Sequence, residues 1–410
     1  MTTKWPVAAL GDLCDLATGG TPDTKIPEYH QNGNIPWLVS GDVHKGEIFE
    51  CDGRITELGM KHSNARLLTP NSVLIALAGQ GKTRGTVALL RISASCNQSV
   101  VAMTPKDPRS LLPEYLFWNL RARYVEIRRM SGDDEKDRRG LNMRMIRSIV
   151  IPLPPLDEQK RIVAKLDAAQ QDFDRLNNNL EQQLNQLTEF DSALLSEMLV
   201  NPGQTPETAV SKWPVLPLSE VSELITRGIT PKYASEAGVI VINQRCIRDQ
   251  SVNLDSARLH DADVKPVADS KCLQHGDGLV NSTGVGTLGR TAVFDSKTVD
   301  GRVTVDSHVT IVRPKQGLFA EGFLRYALEL CEGAFVEHST GSGGQTELSR
   351  SAIGNELITL PSLDEQIRIV AKLDEASLAS SSLRLNIIDR KKSASELQLS
   401  ILAAAFAGEL

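Results

Sequence analysis

The string PPLDEQKRIVAKLD begins at Pro154 and PSLDEQIRIVAKLD at Pro361, and 12 of the 14 positions agree. A second pair stands upstream of it. KWPVAALGDLCDLATGGTP starts at Lys4 and KWPVLPLSEVSELITRGITP at Lys212, so the two offsets are 207 and 208 residues. The chain is therefore written as two similar halves, and its 410 residues are more than one core usually serves.

Each half follows one plan. About 150 residues of short apolar runs come first, rich in Val, Ile and Thr and broken by Gly, Pro, Asn and Asp. Runs such as IPWLVSGDV, SVLIALA, VIVINQRCI and VTVDSHVTIV read as strands joined by turns, and LPEYLFWNLRARYVEIRRM reads as helix. Prolines then punctuate the chain and the period changes to that of a long helix, opened by Pro and two acidic residues. In the first helix the apolar stripe is Ile162, Leu166, Ala169, Phe173, Leu176, Leu180, Leu184, Leu187, Phe190, Leu194 and Met198. In the second it is Ile369, Leu373, Ala376, Leu383, Ile387, Ala394, Leu397 and Ile401. Steps of three and four place each set on one face.

Helices of about 40–45 residues would be ~60–65 Å long, and so narrow a stripe cannot be buried alone. Antiparallel pairing of the two helices of one chain is the economical solution; a seam shared with a second copy is the alternative. The expected fold class is α+β: two globular β-rich domains, two long helices forming an antiparallel coiled coil, and an internal pseudo-two-fold repeat. The boundaries expected are 1–153 for the first lobe, 154–200 for its helix, 201–211 for a polar linker, 212–360 for the second lobe and 361–410 for its helix.

The net charge of −6 shows no overall basic bias, a weak argument against nucleic acid because binding depends on where charge sits. The six cysteines, Cys14, Cys51, Cys96, Cys246, Cys272 and Cys331, form no C-x-x-C pair and read as reduced thiols of a cytoplasmic protein. No apolar stretch approaches the ~20 residues needed to cross a bilayer, and the start lacks the pattern of a signal peptide.

One motif points elsewhere. Ala76 to Thr83 reads A-x-x-x-x-G-K-T after a strand-like run, nearly a phosphate-cradling loop. Such a loop needs a helix directly behind it. Here Arg84-Gly85-Thr86-Val87 follows, and the matching stretch of the second half, GLVNSTGVGTLGRTAVF, keeps glycines but lacks the Lys. The shared element is expected to be a strand, a Gly-rich hairpin and a strand, and a nucleotide-hydrolysing site is the unfavoured reading. Asp157, Glu158, Asp364 and Glu365 need only cap their helices. No nucleophile elbow, H-E-x-x-H or other catalytic or metal-binding constellation stands out.

Taken together, GGTPDTKIPEYHQNGNIPWLVSGDV, TRGITPKYASEAGVIVINQRCI, the two LDEQ helix starts and the closing LSILAAAFAGEL resemble the specificity subunit of type I restriction-modification systems. That resemblance implies two target-recognition domains, each reading one half of a split, asymmetric double-stranded DNA target, with the paired helices as a ruler. It implies a non-catalytic chain that binds two modification (methyltransferase) subunits and restriction (helicase-nuclease) subunits. No cofactor belongs to this chain itself; S-adenosylmethionine belongs to the modification subunit, and ATP and Mg to the restriction subunit. A specificity protein of a related system that is not type I is the alternative.

Residues 121–147 hold nine Lys and Arg against five Asp and Glu, a local basic excess. DNA contacts in the first lobe are expected from Arg128, Arg129, Lys136, Arg138, Arg139 and Arg144, and from the hairpin tip Gln80, Lys82, Thr83 and Arg84. In the second they are expected from Gln244, Arg245, Arg248, Asn281, Ser282, Arg290, Ser342, Gln345 and Thr346. Trp37, Trp118 and Tyr29 are expected in the core. The seam is expected at Leu166, Phe173, Leu176, Leu180, Leu187, Leu373, Leu383, Ile387 and Leu397.

Overall fold

The structure, a computed structural model, describes residues 4–79, 81–132, 140–200, 213–341 and 346–410. Both long helices form where the Leu-Asp-Glu-Gln starts place them, at Leu156–Val200 and Leu363–Ala407. The chain divides into two compact units. One runs through Glu181 and takes back Ile388–Leu410; the other is Gln182–Ile387. Each long helix thus contributes to both.

In the first unit a five-stranded sheet carries Cys14–Thr18, Val100–Pro105, Val73–Ala76, Val87–Leu90 and Glu47–Ile48 in that order. The first four pair antiparallel, and the short edge strand is parallel to its neighbour. Val73–Ala76 and Val87–Leu90 are buried throughout, as their unbroken apolar runs require. The predicted helix beyond them breaks at Arg123, giving Pro113–Ala122 and Tyr124–Arg129. Its apolar face covers the sheet through Tyr115, Leu116, Trp118 and Leu120. Trp118 is a core residue as expected; Trp37 and Tyr29 are half-buried.

The second unit repeats the design with other side chains. Ser222–Arg227, Val309–Pro314, Gly278–Asn281 and Thr291–Val293 lie in the same antiparallel order. Phe323–Glu337 packs beside them. A second sheet holds Tyr233–Ala234, Arg258–His260, Val239–Ile242 and Val303–Val305.

The repeated KWPV stretches have a common role. Val7–Ala9 pairs with Val150–Pro152 and Val215–Pro217 with Leu357–Thr359, so each lobe's two ends are tied together where its helix begins. Leu153 N donates to Pro6 O and Leu360 N to Pro214 O, both at 2.8 Å.

Helix pairing is antiparallel inside each unit. In the first, Gln398 Nε2 donates to Gln170 Oε1 at 2.8 Å and Lys391 Nζ lies 3.1 Å from Glu181 Oε1. Ile162, Leu166, Phe173 and Leu180 are buried, and so are Ala394, Leu402, Ala405 and Phe406 of the second helix. Phe406 meets Tyr115 edge-on at 5.5 Å, which seats the end of the second helix in the first lobe's core. In the second unit Ser380 Oγ donates to Asp191 Oδ1 at 2.6 Å, and Arg384 Nη2 to Asp191 Oδ2 at 2.9 Å.

Leu373, Ser380, Ile387 and Ala394 are buried at seven-residue steps. Leu383 and Leu397, expected in the seam, are 51% and 55% exposed, and Phe190 is 55% exposed. The reason is geometric. A two-helix contact covers one narrow row, and a residue three positions beyond a buried one lies ~60° to the side. Leu176 and Leu187 are half-buried at the rim. Among the described residues no helix is long and apolar enough to cross a membrane.

Candidate nucleic-acid interface

The A-x-x-x-x-G-K-T stretch is a hairpin tip. Ala76 N donates to Thr86 O and Gly85 N to Ala76 O, so the chain re-enters the sheet as a strand where a phosphate loop would start a helix. Gly79, Gly81 and Gly85 have φ of +145°, +62° and +84°, backbone that side chains with a Cβ rarely adopt. That requirement, rather than phosphate, explains the glycines.

Helix Tyr124–Arg129 holds this tip from the side. Tyr124 OH donates to Lys82 O at 2.9 Å, Arg128 Nη1 donates to Gly81 O at 2.5 Å, and His44 Nε2 lies 3.0 Å from Thr83 Oγ1. Arg128, expected to meet phosphate, is half-buried and gives Nη1 to the hairpin backbone and to Tyr124 OH. Arg84 is only 6% exposed and faces the protein. Lys82 is exposed at the tip, Thr83 is half-buried, and Arg129 and Arg144 are exposed nearby in sequence. Leu141 N donates to Leu77 O at 2.8 Å, bringing the far side of the basic segment to the hairpin base. Gln80, Lys136, Arg138 and Arg139 lie outside the described residues. Beside the tip an open groove of about 890 Å³ is lined by His44, Lys82, Trp118, Arg121, Tyr124 and Asp167 among others. Burial lowers the Arg121 guanidinium from its ordinary pKa value, and the ring of Trp118 stacks 4.9 Å from it.

The second unit builds the equivalent tip differently. Gly284, Gly286 and Gly289 have φ of +110°, +73° and +84°. Asn281 Nδ2 donates to Gln244 O at 3.0 Å and Thr287 O at 3.1 Å, tying the hairpin to the 243–250 turn. Ser282 Oγ shares a 2.6 Å hydrogen bond with Thr310 Oγ1, and Leu348 N donates to Ser282 O at 2.8 Å. Three stretches thus converge: the hairpin, the turn after Gln244 and Glu347–Leu348. Asn281 and Ser282, expected as contacts, are fully buried. Asn281 Nδ2 and Ser282 Oγ are bonded to the protein because both residues stand at the end of a central strand. Arg245, Arg248 and Thr346 are exposed; Gln244 and Arg290 are half-buried. Ser342 and Gln345 lie outside the described residues.

Beneath this tip His308 Nδ1 lies 2.6 Å from Thr283 Oγ1, and His308 N donates to Asp306 Oδ1 at 2.9 Å. Burial raises the Asp306 carboxyl above its ordinary value, and the His308 contacts only partly oppose this. Sequence reasoning missed His44, Tyr124 and His308. A single His or Tyr carries no spacing signal of its own, whether it stands in a turn, as His308 does, or on a helix, as Tyr124 does.

No group of three or more His, Cys, Asp or Glu able to hold a metal ion occurs among the described residues. All six cysteines are free, and burial pushes the thiols of Cys14, Cys96 and Cys331 up to about 12, 11 and 12. Such thiols are inert packing groups.

Comparison with known proteins adds to this geometry. Residues 2–186 match the family described as type I restriction modification DNA specificity domain. A type I restriction enzyme specificity subunit of Escherichia coli is 28% identical over 176 residues, 43% of this chain and 42% of that protein. That match therefore spans less than half of the relative's length. A type I restriction enzyme specificity subunit of Salmonella potsdam is 22% identical over 99% of this chain and 89% of its own. A chain from a solved structure of a type I R-M system superposes with a TM-score of 0.78 at 20% identity, covering 99% of this chain and 98% of that one. That likeness is one of fold.

Proposed function

We propose that this chain belongs to the type I restriction-modification DNA specificity family, whose description residues 2–186 match, and that it is the sequence-reading subunit of such a system. The observation that carries the reading is the repeated architecture. Two units share one strand order around a glycine hairpin, yet the hairpins and their neighbouring loops differ residue by residue. A symmetric reader would not need that difference, so the target is asymmetric and split.

On this reading Lys82, Arg129, Arg144 and the segment with Lys136, Arg138 and Arg139 meet one half-site. Arg245, Arg248, Arg290 and Thr346 meet the other. Lysine and arginine supply phosphate contact, and polar loop residues supply base contact. The long helices set the gap and dock the modification subunits, which bring S-adenosylmethionine and methylate adenine in the cytoplasm. Restriction subunits bring ATP and Mg. The chain itself binds and positions.

The test is selection from randomised duplex DNA by the chain bound to its modification subunit. A two-part consensus whose binding weakens steeply with salt supports the reading. Enrichment of no sequence, or of one uninterrupted motif, defeats it.

A further inference from the structure

The repeated string LDEQ ends in a residue that capping does not explain. Asp157 and Glu158 sit in the first helical turn, and Asp157 is almost fully exposed. Gln159 is fully buried. Its Nε2 donates to Ser110 O at 2.8 Å and Pro154 O at 3.0 Å, while its Oε1 accepts from Leu112 N at 2.9 Å. Gln366 repeats every bond: Nε2 to Leu318 O and Pro361 O, both at 2.9 Å, and Ala320 N to Oε1 at 2.8 Å. Each glutamine joins the long helix to the loop that starts the lobe's main helix.

Two turns further along, a second clasp recurs with changed chemistry. Trp118 Nε1 donates to Asp167 Oδ1 at 2.8 Å, and Tyr326 OH donates to Asp374 Oδ1 at 2.6 Å. Trp118 and Tyr326 are 4% and 4% exposed. A ring N–H has been exchanged for a hydroxyl while the carboxylate stays at the same repeat position. Two points of attachment about two helical turns apart fix an angle, which one point cannot do.

We propose that Gln159 and Gln366, seconded by the Trp118–Asp167 and Tyr326–Asp374 bonds, are positioning residues that fix how each recognition lobe stands on its long helix. They thereby set how strictly the complex measures the gap between half-sites. This rests on the specificity-subunit reading. Adding one base pair turns a half-site by ~35° about the duplex, since a turn takes about 10–10.5 base pairs. A lobe can follow that rotation only by tilting on its mount, and a buried amide with three partners resists tilting because every lost bond leaves a desolvated group unpaired.

The experiment uses the full chain with its modification subunit. It methylates a DNA library with fixed half-sites and gaps one base pair shorter, equal or longer. Gln159→Met and Gln366→Met keep side-chain length and remove all three bonds; Tyr326→Phe removes one hydroxyl from a rim contact and tests the same point should either Met variant misfold. Methylation at off-length gaps, relative to the native gap, is expected to rise about tenfold in the Gln variants and less in Tyr326→Phe, with half-site base preferences unchanged. Tyr115→Phe is the control. It deletes a buried bond to Pro152 O at 3.0 Å within the first lobe's core and is expected to lower stability without relaxing the gap. A gap as strict as before in the Gln variants and in Tyr326→Phe overturns the inference, as does equal relaxation in Tyr115→Phe. An unaltered complex that methylates no gapped site overturns the specificity reading itself.

Discussion

Phe406 lies near the end of the chain, yet the first lobe is built around it. Its side chain is fully buried in one cluster with Leu10, Tyr115, Ile162 and Leu402, and it meets the Tyr115 ring at 5.5 Å. Phe406→Ala removes a whole ring from a packed site with few ways to collapse. The expected cost is about 3–5 kcal/mol, of which the edge-on aromatic pair supplies about 0.5–1.5. Leu397→Ala, on the same helix at 55% exposure, is expected to change stability by less than about 0.5 kcal/mol. Amide hydrogen exchange locates the effect. Protection of Val73–Ala76 and Val100–Pro105 should fall sharply in Phe406→Ala, while Gly278–Asn281 and Val309–Pro314 in the other unit stay near their original values. Equal losses for Phe406→Ala and Leu397→Ala, or a loss confined to the second unit, would refute the assignment of this helix end to the first core.

Other outcomes follow from the same contacts. In a double-mutant cycle of Asp191→Ala and Ser380→Ala, the coupling should be about 1–2 kcal/mol, measured by urea denaturation, because the hydroxyl is buried against a charged acceptor. Tyr124→Phe frees Lys82 O and should loosen base preference in one half-site only, read by methylated-site sequencing, with the other half-site unaltered. Asp306 has its folded pKa raised, so the protonated form favours the fold, and stability falls as pH rises from the ordinary value of 3.8 through the raised one. Asp306→Asn should therefore be at least as stable as the native chain at pH 7 and lose that advantage near pH 4; thermal unfolding across pH reads this directly.

The large features were legible because they repeat or have a period. The LDEQ starts, the helical stripes and the strand–glycine–strand hairpins all stand in the string itself. What failed was finer. Leu383 and Leu397 match the stripe by spacing, but a two-helix contact covers one row while apolar periodicity cannot tell the row from its flank. Asn281 and Ser282 look like loop polar residues, yet both are consumed at the end of a central strand. Arg128 carries the charge expected at DNA and also gives one N–H to Gly81 O, a partner that only tertiary geometry reveals. Gln159 and Gln366 were visible as repeated letters, and the acidic neighbours that cap the helix drew the explanation away from them.

The central claim is that two unlike recognition units on one chain read one split target. The direct measurement is sequencing of methylated adenines in cells that carry this chain with its modification subunit, compared with cells lacking the chain. The account predicts one asymmetric two-part motif with a single gap length, absent without the chain. An uninterrupted or palindromic motif, or a methylation pattern indifferent to the chain, would contradict it.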